Sequence, residues 1–183
     1  MIRSLLDKIR FDISADRVGP DCPFTHWRLY FRPLMRRVCE KKFSKFSEGA
    51  DFRAGAYAVT CSKISIGKNV VVRPGTMMFA DPRDGLEGSI NIESDVMLGS
   101  GVHIYVGNHR FDMPGVNLIN QGHQPAKSVH LKEGCWLGAN VIVLPGVTVG
   151  KNSVVGAGSV VTRDIPDRTL FAGNPAKFIE NLL

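Results

Sequence analysis

The side chains best suited to acid–base chemistry in this sequence are its histidines, because imidazole is the side chain whose unperturbed titration falls near neutral pH. Two of them, His109 and His123, lie in a polar stretch from about Val106 to Ser128. The others are His26, His103 and His130. The four cysteines are far apart and form no Cys-x-x-Cys pair, so we interpret them as reduced thiols rather than as a disulfide or metal framework.

The element that could position such side chains is a repeat of six residues between Leu131 and Pro166. Aliphatic residues recur at every sixth place, and most are followed four residues later by a small or β-branched side chain. The first positions are Leu131, Leu137, Val143, Val149, Val155 and Val161, and the second positions are Cys135, Val141, Val147, Ser153 and Ser159. A period of six suits neither a helix nor a continuous strand, but it does suit a short strand followed by a turn. The repeat therefore predicts a mainly β solenoid.

The repeat extends upstream but is interrupted twice. Earlier first positions are predicted at Ala54, Thr60, Ile66, Val72 and Met78. The register breaks at 80–89 and again at 106–128, and loops that interrupt a solenoid commonly carry function. Trp136 follows the inward Cys135 and should point outward, where a large aromatic side chain is either an interface residue or the wall of a ligand groove.

The N-terminal quarter carries the positive charge of the chain. Residues 1–47 hold eleven lysines and arginines against five acidic residues, which accounts for the whole net charge of +6. Two amphipathic helical patterns occur here, and Pro33 should kink or restart the second. Such helices either cap the open end of the solenoid or touch an anionic membrane surface or a lipid-linked acceptor. We therefore expect a basic helical extension at 1–47, and at 48–183 the solenoid with a short C-terminal helix.

The composition also bears on location and partners. The apolar runs are too short to span a membrane, and charges interrupt the first residues too often for a signal peptide. We expect the protein in the cytoplasm, with the inner face of the cell membrane as the alternative through residues 1–47. No nucleic acid partner and no metal are expected.

Three phrases, CWLGANVIVLPGVTVG, VVGAGSVVTRDIP and AGNPAK, together with the upstream histidine loop, resemble the hexapeptide-repeat acyltransferases. The resemblance covers roughly Ala54 to Ile179 and is to the branch of galactoside and maltose acetyltransferases and polysaccharide O-acetyltransferases. It implies a left-handed parallel β-helix of triangular cross-section, assembled as a homotrimer with acetyl-CoA between neighbouring subunits. The hand of the helix comes from the family, since general connection rules favour the other hand.

The resemblance also implies roles for individual residues. His109 in VGNHRF matches the catalytic base, which takes the proton of a sugar hydroxyl so that the oxygen can attack the thioester. Trp136 matches a residue beside the thioester arm of acetyl-CoA. On the same basis, Ala139 and Ala157 would lie near the pantetheine, and Thr162, Arg163 and Lys177 near the phosphates. Glu180 departs from the family pattern, in which a relative can carry arginine.

The acceptor side is less fixed by the resemblance. Asp81 and Arg83, with the neighbouring Asp84, belong to a segment that lines the sugar site in related enzymes, although a charged turn is the alternative. Gln121 and His123 lie in the 106–128 stretch, which the resemblance makes part of the acceptor pocket, although a plain loop role is equally open. The expected acceptor is a sugar or a surface-polysaccharide precursor.

Other functions fit parts of the same sequence. They are an N-acetyltransferase acting on an amino-sugar nucleotide, a streptogramin- or chloramphenicol-type acetyltransferase, and a β-helix scaffold without catalysis. A carbonic anhydrase of the same fold needs three histidines around zinc. His103, His109 and His130 supply that number but not that family's motif.

Overall fold

Three sheets, parallel except where β1 and β18 pair antiparallel at their edges, form the faces of a left-handed β-helix. The computed structural model describes residues 2–83, 85 and 87–183. Strands are numbered β1 to β18 along the chain. Face A contains β1 (Arg17–Val18), β4 (Tyr57–Val59), β7 (Met77–Phe79), β10 (His103–Tyr105), β13 (Ile142–Val143) and β16 (Val160–Val161). Face B contains β2 (Lys45–Phe46), β5 (Ile64–Ile66), β8 (Ile90–Ile92), β11 (Val129–Leu131) and β14 (Thr148–Val149). Face C contains β3 (Asp51–Phe52), β6 (Val71–Val72), β9 (Met97–Leu98), β12 (Trp136–Leu137), β15 (Val154–Val155), β17 (Thr169–Ala172) and β18 (Lys177–Asn181).

The six-residue repeat corresponds to one strand and one corner of this triangle. Both predicted sets of inward residues between Leu131 and Val161 are buried, and parallel pairing puts Leu131 beside Val149 in the next coil. Each coil therefore covers the apolar interior of its neighbour, which is how a solenoid builds a continuous core. The predicted mainly β solenoid is confirmed.

The predicted register of the first coil was wrong by two residues. Phe52 and Ala58, rather than Ala54 and Thr60, pair with the inward Val72 and Met78. The difference arises at Cys61–Lys63, which forms a 3₁₀ turn entered through a left-handed Thr60 at φ 57°. The turn adds two residues to this coil.

The helices of the N-terminal part cover the end of the solenoid. They are α1 (Ile2–Ser14), α2 (Pro23–His26) and α3 (Arg32–Lys42). A 3₁₀ turn at Trp27–Tyr30 follows α2, and Pro33 lies in the first turn of α3, where the helix restarts as predicted. The buried Met35, Val38 and Cys39 of α3 belong to the same core cluster as Phe43, Phe46 and Phe52. This packing supports the capping interpretation. Among the described residues, no helix is both long enough and apolar enough to cross a membrane.

The predicted short C-terminal helix is absent from the described chain, and its place is taken by an antiparallel hairpin of β17 and β18. Phe171 pairs with Val155 of the last full coil, and the Phe178 ring lies 5.8 Å from the Phe171 ring. The edge of face C offers unpaired backbone groups that a strand can satisfy and a helix cannot. Gly173, at φ 104°, lies in the turn that reverses the chain.

Candidate functional site

Both interruptions of the repeat occur at the corner between faces A and B, called here the A–B corner. One loop leaves β7 and the other leaves β10, and these strands are neighbours on face A. The loops are joined where the Arg83 Nη2 donates to the carbonyl of Gln124 at 3.2 Å, and where Ser89 and Ser128 share hydrogen bonds of 3.0–3.1 Å. Two loops that are far apart in the sequence thus form one structure.

His109 and His123 face each other across a short antiparallel ladder inside the second loop. The flanking amides of Arg110 and Gln124 donate to the carbonyls of Gly122 and Asn108 at 3.0 and 2.9 Å. This pattern makes the two histidines a non-hydrogen-bonded pair, the arrangement in which side chains of facing strands come closest. Their ring centroids are 4.2 Å apart, and both residues are exposed.

A cleft of about 420 Å³, called here the histidine cleft, collects four of the predicted residues. They are His109, His123, Asp81 and Arg83, and the outward rings of Phe79 and Tyr105 form part of the wall. The Arg83 guanidinium donates to Asp81 at 2.8–3.0 Å, and this hydrogen bonding lowers the pKa of the Asp81 carboxyl. Asp84 lies outside the described residues.

Gln121, in contrast, is not brought to the cleft. Its side chain is buried within the second loop, where its amide bonds to the backbone of Met113 and Val116 at 2.8–3.2 Å. These bonds occupy both the donor and the acceptor end of the amide. Gln121 therefore stabilises the conformation of the second loop.

A second concavity, called here the apolar groove, runs along face C with a volume of about 700 Å³. Trp136 stands in its centre, paired in register with Met97 on one side and Val154 on the other. Trp136 is 47% exposed and Met97 is 56% exposed, so this row leaves a large apolar surface open. Ala139 and Ala157 also line the groove.

Small residues occupy the corner between faces C and A, at the floor of the groove, because the backbones of successive coils lie close together there. A Cβ atom on Gly138 would lie 2.6 Å from the backbone nitrogen of Ala157, and one on Gly99 would lie 2.5 Å from that of Ala139. Backbone atoms of successive coils thus touch directly, and no side chain fills the corner. A ligand in the groove can approach the main chain closely.

The remaining predicted donor residues do not line the groove. Thr162 and Arg163 follow β16 and are exposed at the A–B corner. Lys177 opens β18 and pairs with Ala172, which places it beyond the strands that line the groove. The structure thus brings together Trp136, Ala139 and Ala157 but leaves these three residues apart from them.

The other histidines do not converge with His109. His103 points outward on face A, where its Nδ1 lies 3.1 Å from the Tyr105 hydroxyl, whereas His130 lies on face B. Within the described part of the chain, no three His, Cys, Asp or Glu side chains are grouped as a metal site requires. All four cysteines are free and buried, and burial raises the pKa of the Cys135 thiol to about 12.

Several lining residues escaped the sequence reasoning. Phe79 and Tyr105 lie in the cleft because they are adjacent outward positions of β7 and β10, and Met97 lies beside Trp136 for the same reason on face C. Outward position was visible in the repeat. Which outward residues become neighbours depends on the loop lengths, which the repeat does not define.

Comparisons with known proteins agree with this architecture. Residues 128–163 match the family described as bacterial transferase hexapeptide (six repeats). The galactoside O-acetyltransferase of Lactococcus lactis is 39% identical over 122 residues, which cover 60% of this chain and 59% of that protein. The chain spans about half the length of the curated relatives it matches.

Solved structures extend the similarity over the whole chain. A maltose O-acetyltransferase from Clostridium difficile 630 has a TM-score of 0.72 and 26% identity, covering 99% of this chain and 86% of that one. A galactoside acetyltransferase in complex with coenzyme A has a TM-score of 0.74, covering 100% and 84%, and at 23% identity it supports the fold alone. By its repeat, its sequence matches and its fold, the chain is similar to hexapeptide-repeat acetyltransferases.

Proposed function

We propose that this protein transfers an acetyl group from acetyl-CoA to a hydroxyl of a sugar or a surface-polysaccharide precursor. The observation that carries the proposal is the cross-strand ladder that presents the His109 ring in the open histidine cleft. Galactoside and maltose appear in the names of the relatives, and a saccharide acceptor is proposed here on that similarity.

His109 acts as the general base. A sugar hydroxyl is hardly ionised near neutral pH, so its oxygen becomes a good nucleophile only when a base removes the proton, and a neutral imidazole can do so. The hydroxyl proton passes to His109, the oxygen attacks the thioester carbonyl, and the C–S bond breaks. The leaving thiolate then takes the proton back from His109, so that coenzyme A departs as its thiol and the base is restored. His123 stands beside the base, and Asp81 and Arg83 line the acceptor side.

The apolar groove has the properties that the pantetheine arm of acetyl-CoA requires. The arm is slender and amide-bearing, and at Gly99 and Gly138 the groove is lined by backbone without a side chain. Trp136 supplies an apolar wall, and the small side chains of Ala139 and Ala157 leave room for the ligand to approach the main chain. Thr162, Arg163 and Lys177 are proposed to contact the phosphates, for which two cations are well suited.

A homotrimer is proposed, and the positions of the two concavities support an arrangement with the site between subunits. The histidine cleft lies at the A–B corner, whereas the groove lies on face C, so one chain does not place His109 against Trp136. If the cleft of one copy meets the groove of the next, both halves form a complete site between subunits. The exposed apolar row of Met97 and Trp136 would then be covered.

Release of the coenzyme A thiol tests the proposal. Thiol release is measured for the wild-type protein, for His109→Ala and for the control His130→Ala. Each protein is assayed with saccharide, amino-sugar nucleotide and streptogramin acceptors. His130 is also exposed but lies on face B, so its loss should have little effect. We expect His109→Ala to lower kcat/KM about 10²- to 10⁴-fold. Near-normal activity of His109→Ala would exclude this mechanism, and transfer to amines without transfer to sugar hydroxyls would exclude the acceptor class.

A further inference from the structure

The apolar groove has a positively charged end that the proposed function does not use. Arg73 lines the groove, and Arg53 lines a neighbouring cavity of about 580 Å³. Val71 lines both concavities, so the two arginines border the same stretch of face C. This pair, called here the arginine end, lies in the first coils of the solenoid, whereas Ala139 and Ala157 lie in later coils.

The two arginines occupy the register position at which later coils have glycine. Each residue at this position directly follows the inward residue of a strand of face C, and backbone amides here donate to the next coil at 2.8–3.0 Å. In chain order the position holds Arg53, Arg73, Gly99, Gly138 and Gly156. The corner is therefore backbone without side chains in the later coils, and it carries guanidinium groups in the first two.

The charge at the arginine end is only partly neutralised. Asp51 is the one acidic side chain among the described residues that line either concavity, and its carboxylate accepts a hydrogen bond from the Arg53 Nε at 3.1 Å. Arg32 of α3 adds a further positive charge to the neighbouring cavity. Arg73 is exposed, and its guanidinium forms no hydrogen bond or ion pair with the described residues. Donors therefore remain at the arginine end for an anion.

The arginine end lies beyond the thioester position, away from the pantetheine. In the proposed arrangement the arm passes Ala157 and Ala139 and reaches Trp136, so the acetyl group faces the earlier coils. Arg73 follows β6, which is two strands from β12, and strands about 4.8 Å apart place it about 10 Å from the Trp136 row. Arg53 lies one strand farther, at about 14 Å. One sugar unit with a charged substituent can occupy this interval.

From these observations we infer that the acceptor is an acidic saccharide, whose carboxylate or phosphate group binds Arg73 and Arg53 while its hydroxyl reacts beside Trp136. The inference rests on the proposed function, because it assigns a charge to the acceptor of the same site. Arg73 is thereby a specificity-determining residue. Its planar guanidinium matches two oxygens of a carboxylate or phosphate, and hydrogen bonds to a charged group are stronger than those to a neutral hydroxyl.

The test compares acceptors that differ in charge. Thiol release from acetyl-CoA is measured with methyl galactoside, carboxymethyl galactoside, galactose 1-phosphate and galacturonic acid, and with the same four derivatives of glucose. We expect kcat/KM for at least one acidic acceptor to exceed that for its neutral match about tenfold, the gain expected from one charge-assisted hydrogen bond. The carboxylates and the phosphates distinguish the two sources of the anion.

The same assay separates the inference from the proposed function. If neutral sugars react and no acidic acceptor is preferred, the inference is refuted while the proposed function stands. Absence of release with every saccharide, neutral or acidic, would refute the proposed function itself.

Variants then assign the charge preference to the arginine end. Arg73→Gln should lower kcat/KM for the preferred acidic acceptor about tenfold and hardly change it for the neutral match, whereas Arg73→Lys keeps the charge and should restore part of the loss. Arg37→Gln is the matched control, because Arg37 is an exposed arginine of α3 that lines neither concavity, and it should change neither value. Thermal midpoints establish that each variant is folded. An equal loss with acidic and neutral acceptors, or a raised KM for acetyl-CoA in Arg73→Gln, would overturn the assignment.

Discussion

The regular coils from Leu131 to Val161 and the two loops at the A–B corner rest on the same strands but are held in different ways. In the coils, each inward side chain is buried, and β11, β12, β13 and β15 each bond to a strand on both sides. In the loop of 106–128, most residues are exposed. The ladder at His109 and His123 and the Gln121 amide form much of the hydrogen bonding within this loop. The coils therefore determine stability, and the loops are free to vary in chemistry.

The two concavities reflect this difference. The apolar groove is made by strand residues and by corner backbone that successive coils hold in contact. The histidine cleft is made largely by loop residues, although Phe79 and Tyr105 supply one rigid wall. One concavity is thus fixed by the coils, whereas the chemistry of the other depends on the loop sequence.

The largest expected effect concerns stability. Leu137→Ala in β12 removes a fully buried side chain and should lower the free energy of unfolding by about 2–5 kcal/mol. The matched change Leu118→Ala, in the loop and 61% exposed, should stay within about 0.5 kcal/mol. Denaturant unfolding at one fixed protein concentration measures both, because assembly would add a concentration dependence. Equal losses would show that the loop is as tightly packed as the coils.

A variant of intermediate effect distinguishes the donor half of the proposed site, which is the apolar groove, from the acceptor half, which is the histidine cleft. Trp136→Ala removes the apolar wall of the groove and should raise KM for acetyl-CoA about tenfold, because the lost contact area is part of an aromatic side chain. KM for the saccharide should hardly change. Tyr30→Ala, an exposed aromatic residue on the N-terminal extension, is the control. A rise in acceptor KM of the same size would mean that Trp136 does not belong to the donor half.

The repeat predicted the body of the fold because a fixed inward period is a local property of the sequence. It failed at Ala54 and Thr60, since alanine and threonine are small enough to be tolerated inside or at a corner, and the extra residues at Cys61–Lys63 leave no signal of their own. The C-terminal prediction failed for a related reason. Apolar residues at Phe178, Ile179 and Leu182 fit helical spacing, whereas the available edge of face C favours a strand.

The candidate site was predictable only in part. Motif resemblance indicated His109 and Trp136, and the structure places each in a concavity. The sequence could not show that the Gln121 amide forms its hydrogen bonds within its own loop, because its partners are backbone groups of Met113 and Val116. Nor could it show that Arg17 and Tyr105 share one row, since that row depends on pairing among four strands.

The smallest expected effect tests how the first loop is held. The Arg83 guanidinium lowers the pKa of Asp81 in the folded protein, so the ionised carboxylate stabilises the fold above the unfolded pKa near 3.9. This contribution is lost as the pH falls through the lower folded pKa. Asp81→Asn should therefore lower the thermal midpoint by about 1–3 °C at pH 7, as expected for a partly exposed ion pair.

The difference between wild-type protein and Asp81→Asn should shrink as the pH falls below about 4. Asp112→Asn is the matched control, because Asp112 pairs with Arg110 in the second loop and its pKa is lowered by the same kind of hydrogen bond. Both ion pairs join residues two apart in the sequence, but Arg83 also donates to the carbonyl of Gln124 in the other loop. Asp81→Asn should thus weaken saccharide binding more than Asp112→Asn does. Equal effects of the two variants on saccharide binding would mean that the Asp81–Arg83 pair stabilises only its own turn. The contact between the two loops would then depend on the hydrogen bonds of Ser89 with Ser128.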